Sequence, residues 1–334
     1  MAEPLLCELS VPGRRAITFP APDVPISELP DGFIRDELPL PELSEVDVIR
    51  HFTRLSQLNY CIDTGMYPLG SCTMKYNPKV NEETARLPGF AFQHPAQHPE
   101  TIQGSLQLMY ELQEYLKEVG GFAGVSLQPA AGAHGELTGV LMILAYHRSR
   151  GDLKRNKILV PDSAHGTNPA TSSMSGLNVV ELASDSRGNI DLDRLRTECD
   201  DTLVGLMLTN PNTLGLFDEN VEQVTRLVHE AGGLVYGDGA NMNALLGILR
   251  PGDLGLDVMH YNLHKTFSTP HGGGGPGSGP VGVAEHLVEF LPDPIVGIVD
   301  RSEDGKPVYG FIHPEKTIGR VKSFFGHFAM MVRA

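Results

Sequence analysis

The chain has 334 residues, of which 41% are hydrophobic and 20% charged, with a formal net charge of −15 from 41 acids against 26 lysines and arginines. That length supports a large core and one to three domains, and the composition is that of an ordinary globular protein. So acidic a surface repels both a duplex nucleic acid and an anionic membrane, which excludes those two partners.

Up to Leu43 proline and acids are frequent, so an extended arm is predicted. Ser44 and Asp47 have the spacing of a capping box, and Val48, Phe52 and Leu55 follow at helical intervals. Residues 66–78 are turn-rich and polar and read as an ordered loop. Residues 1–98 are therefore taken as an N-terminal arm with a helical and loop segment, and 99–334 as a large α/β domain. In that second part Ile102, Leu106, Met109, Leu112 and Leu116 form a helical stripe. A short strand is predicted at Val125–Leu127, then a helix from about Gly135 to Tyr146. Further strands are expected over 157–160, 179–182, 204–208, 234–236 and 258–262, with helices over 192–198 and 221–231. Strands and helices in alternation predict a mostly parallel sheet with helices on both faces, whose ligands sit beyond the carboxyl ends of the strands. No internal repeat is present.

The four cysteines, Cys7, Cys61, Cys72 and Cys199, form no CxxC pair and no short Cys/His metal spacing. They do not make a disulfide framework, no metal is expected, and a reducing compartment follows. The longest fully apolar run, Val140–Tyr146, is too short to span a bilayer. Neither a signal peptide nor an Arg-rich transit peptide is evident, so the cytoplasm is the expected location.

Lys265 lies after the last predicted strand, and Asp238 follows the strand before it between two glycines. An amine and a carboxylate so placed suit pyridoxal phosphate: the aldehyde needs an amine to hold it as a Schiff base, and the ring nitrogen needs a carboxylate to keep it protonated. Taken singly, each residue also fits a blander role, Lys265 as a solvated surface lysine and Asp238 as a turn residue. Residues 129–136 (PAAGAHGE) join a strand to a helix, where small residues let backbone amides approach a phosphate; a tight turn explains them equally well. His134 there suits stacking on a flat ring or a structural role. The glycine run 272–277 is neither a Walker-type loop nor a dinucleotide fingerprint. Residues 162–169 (DSAHGTNP) gather polar groups in one post-strand loop, a common place for function, and His165 is the candidate there for proton transfer or substrate contact. Tyr67, Ser71 and Lys75 are candidates for the substrate carboxylate.

Together MYPLGSCTMKYNPK (66–79), PDSAHGTNPA (161–170), LTNPNTLG (208–215), GDGANMNA (237–244) and NLHKTFSTPHGGGGPG (262–277) resemble the pyridoxal-phosphate subunit of glycine decarboxylase, the P-protein family of the glycine cleavage system. The resemblance covers roughly residues 40–334 and points to the second, cofactor-bearing subunit of the two-chain form. It implies the pyridoxal-phosphate transferase fold of the aspartate-aminotransferase type. It implies that Lys265 carries the cofactor and that Asp238 pairs with the ring nitrogen. His134 and Ala240 are expected to sandwich the ring, amides near Gly132 and Ala133 to meet the phosphate, and Asn212 the ring hydroxyl. His264, in the lysine's own motif, is counted among the cofactor-binding residues. The implied reaction decarboxylates glycine and leaves an aminomethyl group on the lipoyl arm of H-protein, with a companion subunit 1 as partner. A small C-terminal domain normally follows in this fold and is expected to be missing here. The residues alone leave open another pyridoxal-phosphate enzyme acting on a small amino acid, or a catalytically silent truncated subunit.

Overall fold

The structure is a computed structural model and describes residues 2–30, 32–69, 72–271 and 277–334. The chain divides into two units, Met1–Leu69 and Gly70–Ala334.

In the first unit α1 spans Glu45–Gln57 and β1 spans Tyr67–Leu69. The capping box forms as the sequence predicts. The Asp47 N–H donates to Ser44 Oγ, and the Asp47 carboxylate accepts from the Ser44 N–H in return. Glu3 ties the arm to the helix through Arg54 at 2.6 Å and His51 at 3.2 Å. Leu43 is buried, whereas Ile34, Leu38 and Leu40 are exposed.

In the second unit β2 (Cys72–Met74), α2 (Lys79–Ala85) and α3 (Pro88–Ala91) come first. Then follow α4 (Gln103–Gly120), β3 (Gly124–Ser126), α5 (Gly132–Ser149), β4 (Lys157–Pro161), α6 (Thr167–Met174) and β5 (Asn178–Leu182). After these come α7 (Leu192–Glu198), β6 (Leu203–Thr209), α8 (Val221–Glu230), β7 (Leu234–Gly239), β8 (Val258–Tyr261) and α9 (Leu263–Thr266). The last elements are β9 (Val281–Val283), β10 (Ile295–Arg301), β11 (Pro307–Ile312) and α10 (Phe328–Arg333).

Seven strands make one sheet in the order β3-β9-β8-β7-β6-β4-β5. β4 to β8 pair in parallel, and β9 runs antiparallel to both of its neighbours. The mostly parallel sheet read from the sequence is therefore present. Helices cover both faces, which is why the central strands read as continuous apolar runs: every residue of β6 is buried. Alternate side chains go to opposite faces. Leu206, Val235 and Met259 pack with Leu106, Leu116, Val224 and Val228 on one side. Met207, Tyr236 and Val258 pack with Val140 and Ile143 of α5 on the other.

Three differences from the sequence reading have local causes. α5 starts at Gly132, not near Gly135, because Ala131 is still extended and the glycine-rich turn coils at once despite its low helix propensity. The stretch read as a post-strand loop at 162–169 already enters α6 at Thr167. β10 and β11 form an antiparallel hairpin that the pattern did not reveal. Side chains on α4 fix that hairpin: Gln113 Nε2 donates to the Val296 carbonyl at 2.8 Å, and Gln103 bonds both the carbonyl and the N–H of Tyr309.

Candidate active site

Parallel strands in register set Thr209 beside Asp238 and Asp238 beside His260, at the carboxyl ends of β6, β7 and β8. These three open onto a cavity of about 450 Å³ that Lys265, His165, Ala240, Gly132 and Ala133 also line. Residues separated by more than a hundred positions thus meet at one edge of the sheet, the expected place for a ligand in such an architecture.

Asp238 is buried and well partnered. Ala240 N–H donates to Oδ1 at 2.9 Å, Asn168 Nδ2 donates to Oδ2 at 3.2 Å, and His260 Nε2 lies 3.5 Å from Oδ1. Burial works to raise its pKa. His260, the Ala240 N–H, Asn168 and the Lys265 ammonium outweigh that, and the carboxyl stays below its ordinary value. The group is therefore a buried anion at neutral pH. Beneath it His260 is fully enclosed, with the Tyr236 hydroxyl 2.5 Å from Nδ1 and the Asn262 amide 2.7 Å from Nε2. Burial lowers the imidazole's pKa and raises that of the Tyr236 phenol, so both are neutral.

The N-terminus of the 18-residue helix α5, with Gly132 and Ala133, lines the cavity. A Cβ at Gly132 would sit 2.6 Å from Asn262 Oδ1 and 3.2 Å from His260 Nε2, so only glycine lets the backbone come this close. The helix end favours an anion there. One turn on, Glu136 is buried. Its Oε2 accepts from Thr167 Oγ1 at 2.9 Å, and its Oε1 has no hydrogen-bond partner among the described residues. The same Thr167 hydroxyl lies 2.8 Å from His165 Nδ1, so the start of α6 orients His165.

Not all the expected residues converge. His134 is not among those lining the cavity. Its Nδ1 accepts from the Ala130 N–H at 3.2 Å, and burial, foremost, lowers its pKa. Asn212 is likewise turned away. Its Oδ1 accepts from the amides of Leu214 and Leu216, and its Nδ2 donates to the Gly188 carbonyl at 3.1 Å. The local turn thus takes up the polar atoms that were expected to meet a ligand. Lys75 donates to the carbonyls of His264 and Thr269 at 2.9 and 3.0 Å, and burial lowers its pKa. Tyr67 belongs to the first unit, and Ser71 lies outside the described residues. His264 lines the cavity. Glu136, Thr209, Asn262 and His260 also line it but carried no sequence signal of their own. For His260 the signal was its place at the end of the strand after Asp238's, which becomes informative only once the register is known.

The sequence profile of the glycine cleavage system P-protein matches residues 24–315. The chain is 58% identical to the probable glycine dehydrogenase (decarboxylating) subunit 2 of Alkaliphilus oremlandii, over 99% of this chain and 68% of that one. It is 55% identical to the protein of that name in Pyrococcus horikoshii, over 99% of this chain and 66% of the relative. It therefore spans about two thirds of these relatives' length. Among solved structures, glycine decarboxylase (P-protein) in inhibitor-bound form superposes with a TM-score of 0.71 at 22% identity, covering 91% of this chain and 69% of that one. A sphingosine-1-phosphate lyase from Burkholderia pseudomallei superposes at 0.59 and 12% identity, covering 91% and 70%. The structural likenesses establish a shared fold.

Proposed function

This chain belongs to the P-protein family of the glycine cleavage system, and on that premise we propose that it is the cofactor-bearing subunit 2 of a glycine dehydrogenase (decarboxylating). It acts with a companion subunit 1 on glycine and passes the aminomethyl group to the lipoyl arm of H-protein. Its proposed compartment is the cytoplasm; among the described residues no helix is long and apolar enough to cross a membrane. The observation that carries the reading is the buried, ionised Asp238 in the same cavity as the Lys265 amine.

The residues fit pyridoxal phosphate. The close backbone approach at Gly132 makes a cradle at a helix N-terminus. Thr209 Oγ1 and Glu136 Oε1 are buried on the cavity wall without a partner among the described residues, as polar atoms awaiting a ligand are. Lys265 would hold the aldehyde covalently, the amides of Gly132 and Ala133 the phosphate, and Asp238 the ring nitrogen. His165 and Ala240 both line the cavity, so His165 replaces His134 as the proposed contact for the face of the ring.

When bound, the cofactor supplies a ring that accepts the electron pair released as glycine loses its carboxyl group. Asp238 keeps the proton on the ring nitrogen. At roughly 4 Å and an effective dielectric of about 20 such a pair is worth on the order of 4 kcal/mol before desolvation. Ala240, Asn168 and His260 hold the carboxylate in place, so little reorganisation is needed as charge develops. Thr167 orients His165 for proton transfer or substrate contact. The test is exchange of labelled bicarbonate into the glycine carboxyl by the complex with subunit 1 and lipoylated H-protein. Exchange that disappears in Lys265→Ala supports the proposal, and full exchange by that variant overturns it.

A further inference from the structure

Cys72 on β2, His264 on α9 and His271 converge on one wall of the cavity, with one ligand atom from each lying within 4.8 Å of the others. We propose that these three side chains form a binding site for a thiophilic divalent cation of the zinc class, and that an ion held there competes with the ligand carried by Lys265. The competition rests on the cofactor reading above; the metal site does not.

The donor set is the right chemistry. Thiolate and imidazole are the preferred ligands of zinc, and three protein ligands leave a fourth position for water. With Zn–S near 2.3 Å and Zn–N near 2.0–2.1 Å, tetrahedral donors stand roughly 3.3–3.8 Å apart. A spread of up to 4.8 Å therefore closes with side-chain shifts of about 1 Å. Cys72 and His264 are buried, so the ion would leave bulk water for a fixed pocket.

The donors are also available. Cys72 is in no disulfide. His271 Nδ1 is buried and has no hydrogen-bond partner among the described residues, a cost that ligation would relieve. Among the described residues the lone pair of His264 Nδ1 meets a long 3.4 Å contact from the Ser278 N–H. Burial, then His271, Lys265 and Lys75, push its pKa down to about 4, so the ring is neutral, the form that binds metal. The two histidine rings meet edge to face with centroids 5.3 Å apart.

Opposing charge sets the expected strength. Both Lys75 and Lys265 are close enough to His264 to disfavour its protonation, and both repel a dication as well. The Cys72 thiolate offsets one of them. Binding weaker than at a site without those lysines follows. Because the ion would sit beside Lys265, it shares the space of the proposed cofactor.

The experiment titrates Zn(II) into the purified cofactor-free chain against a chromophoric chelator, and Co(II) in parallel by absorbance. Expected are one ion per chain and a thiolate-to-cobalt charge-transfer band. Affinity should fall at least tenfold in Cys72→Ser and in His271→Gln and stay unchanged in Cys199→Ser. His271 is only partly buried, so its variant folds even if Cys72→Ser does not, and thermal unfolding checks both. Unchanged affinity in the folded His271→Gln protein, or cobalt binding without a thiolate band, would overturn the site. Chain preloaded with pyridoxal phosphate should bind Zn(II) at least tenfold more weakly; equal affinity would overturn the competition alone. Failure of the wild-type chain to take up the cofactor in metal-free buffer would instead be a failure of the cofactor reading.

Discussion

Replacing Asp238 by asparagine separates the structural from the chemical role of the carboxylate. In the folded protein its two oxygens accept from the Ala240 N–H at 2.9 Å and Asn168 Nδ2 at 3.2 Å. An asparagine offers one oxygen and one NH₂, so it keeps the Ala240 N–H through Oδ1 only if Asn168 turns its amide to present Oδ1 to the new NH₂, and both bonds become neutral ones. Bonds to a charged group contribute about 1.5–3 kcal/mol and neutral ones about 1 kcal/mol, so cofactor-free Asp238→Asn should lose about 1–3 kcal/mol and still fold. In the loaded enzyme the amide cannot hold the ring nitrogen protonated. The lost pairing of about 4 kcal/mol corresponds to roughly a thousandfold at 1.36 kcal/mol per decade. Urea unfolding of the cofactor-free chain reads the first effect, and bicarbonate exchange at saturating cofactor the second. Exchange within about threefold of wild type, with the cofactor bound, would show that Asp238 is no more than a turn residue.

Tyr236→Phe removes the hydroxyl that sits 2.5 Å from His260 Nδ1 and leaves a fully buried nitrogen unpaired, so the urea midpoint should drop by the equivalent of about 1–3 kcal/mol. Gly139→Ala would place a Cβ 2.4 Å from the Tyr236 ring and 2.9 Å from Val258, and the overpacking of about 1–3 kcal/mol should exceed the roughly 1 kcal/mol gained in helix propensity, a net loss visible in the same assay. His229 donates to Asp257 at 2.8 Å and its pKa is raised by that bond, which makes the pair stabilising below pH 6.5 and lost as pH climbs through the raised value. His229→Gln should therefore destabilise more at pH 6 than at pH 9. Because the imidazole is 37% exposed, screening holds the difference below about 1 kcal/mol, measured as the shift in denaturant midpoint between the two pH values.

Much of the sheet was legible because both its faces are buried, so its strands are mostly apolar, as residues 158–160 of β4 and 203–208 of β6 are. Asp238 stood out because it closes the apolar stretch of β7, and Lys265 because it lies in the short segment just after β8. Direction within short turns was not legible. Sequence places His134 and His165 in equally suggestive post-strand segments, yet α5 begins three residues early and carries His134 away, while Thr167 at the head of α6 holds His165 at the cavity. Asn212 Oδ1 is taken up by its own turn, as a turn asparagine commonly is. His260 and Thr209 flank Asp238 only through strand register, a long-range fact that periodicity does not carry.

The central claim is that Lys265 is the residue that holds the cofactor. Pyridoxal phosphate added to the purified chain, followed by borohydride reduction and peptide mapping, should fix one cofactor per chain on the peptide containing Lys265. A fixed label on Lys75 or any other lysine, or none at all in protein that has taken up the cofactor, would contradict it.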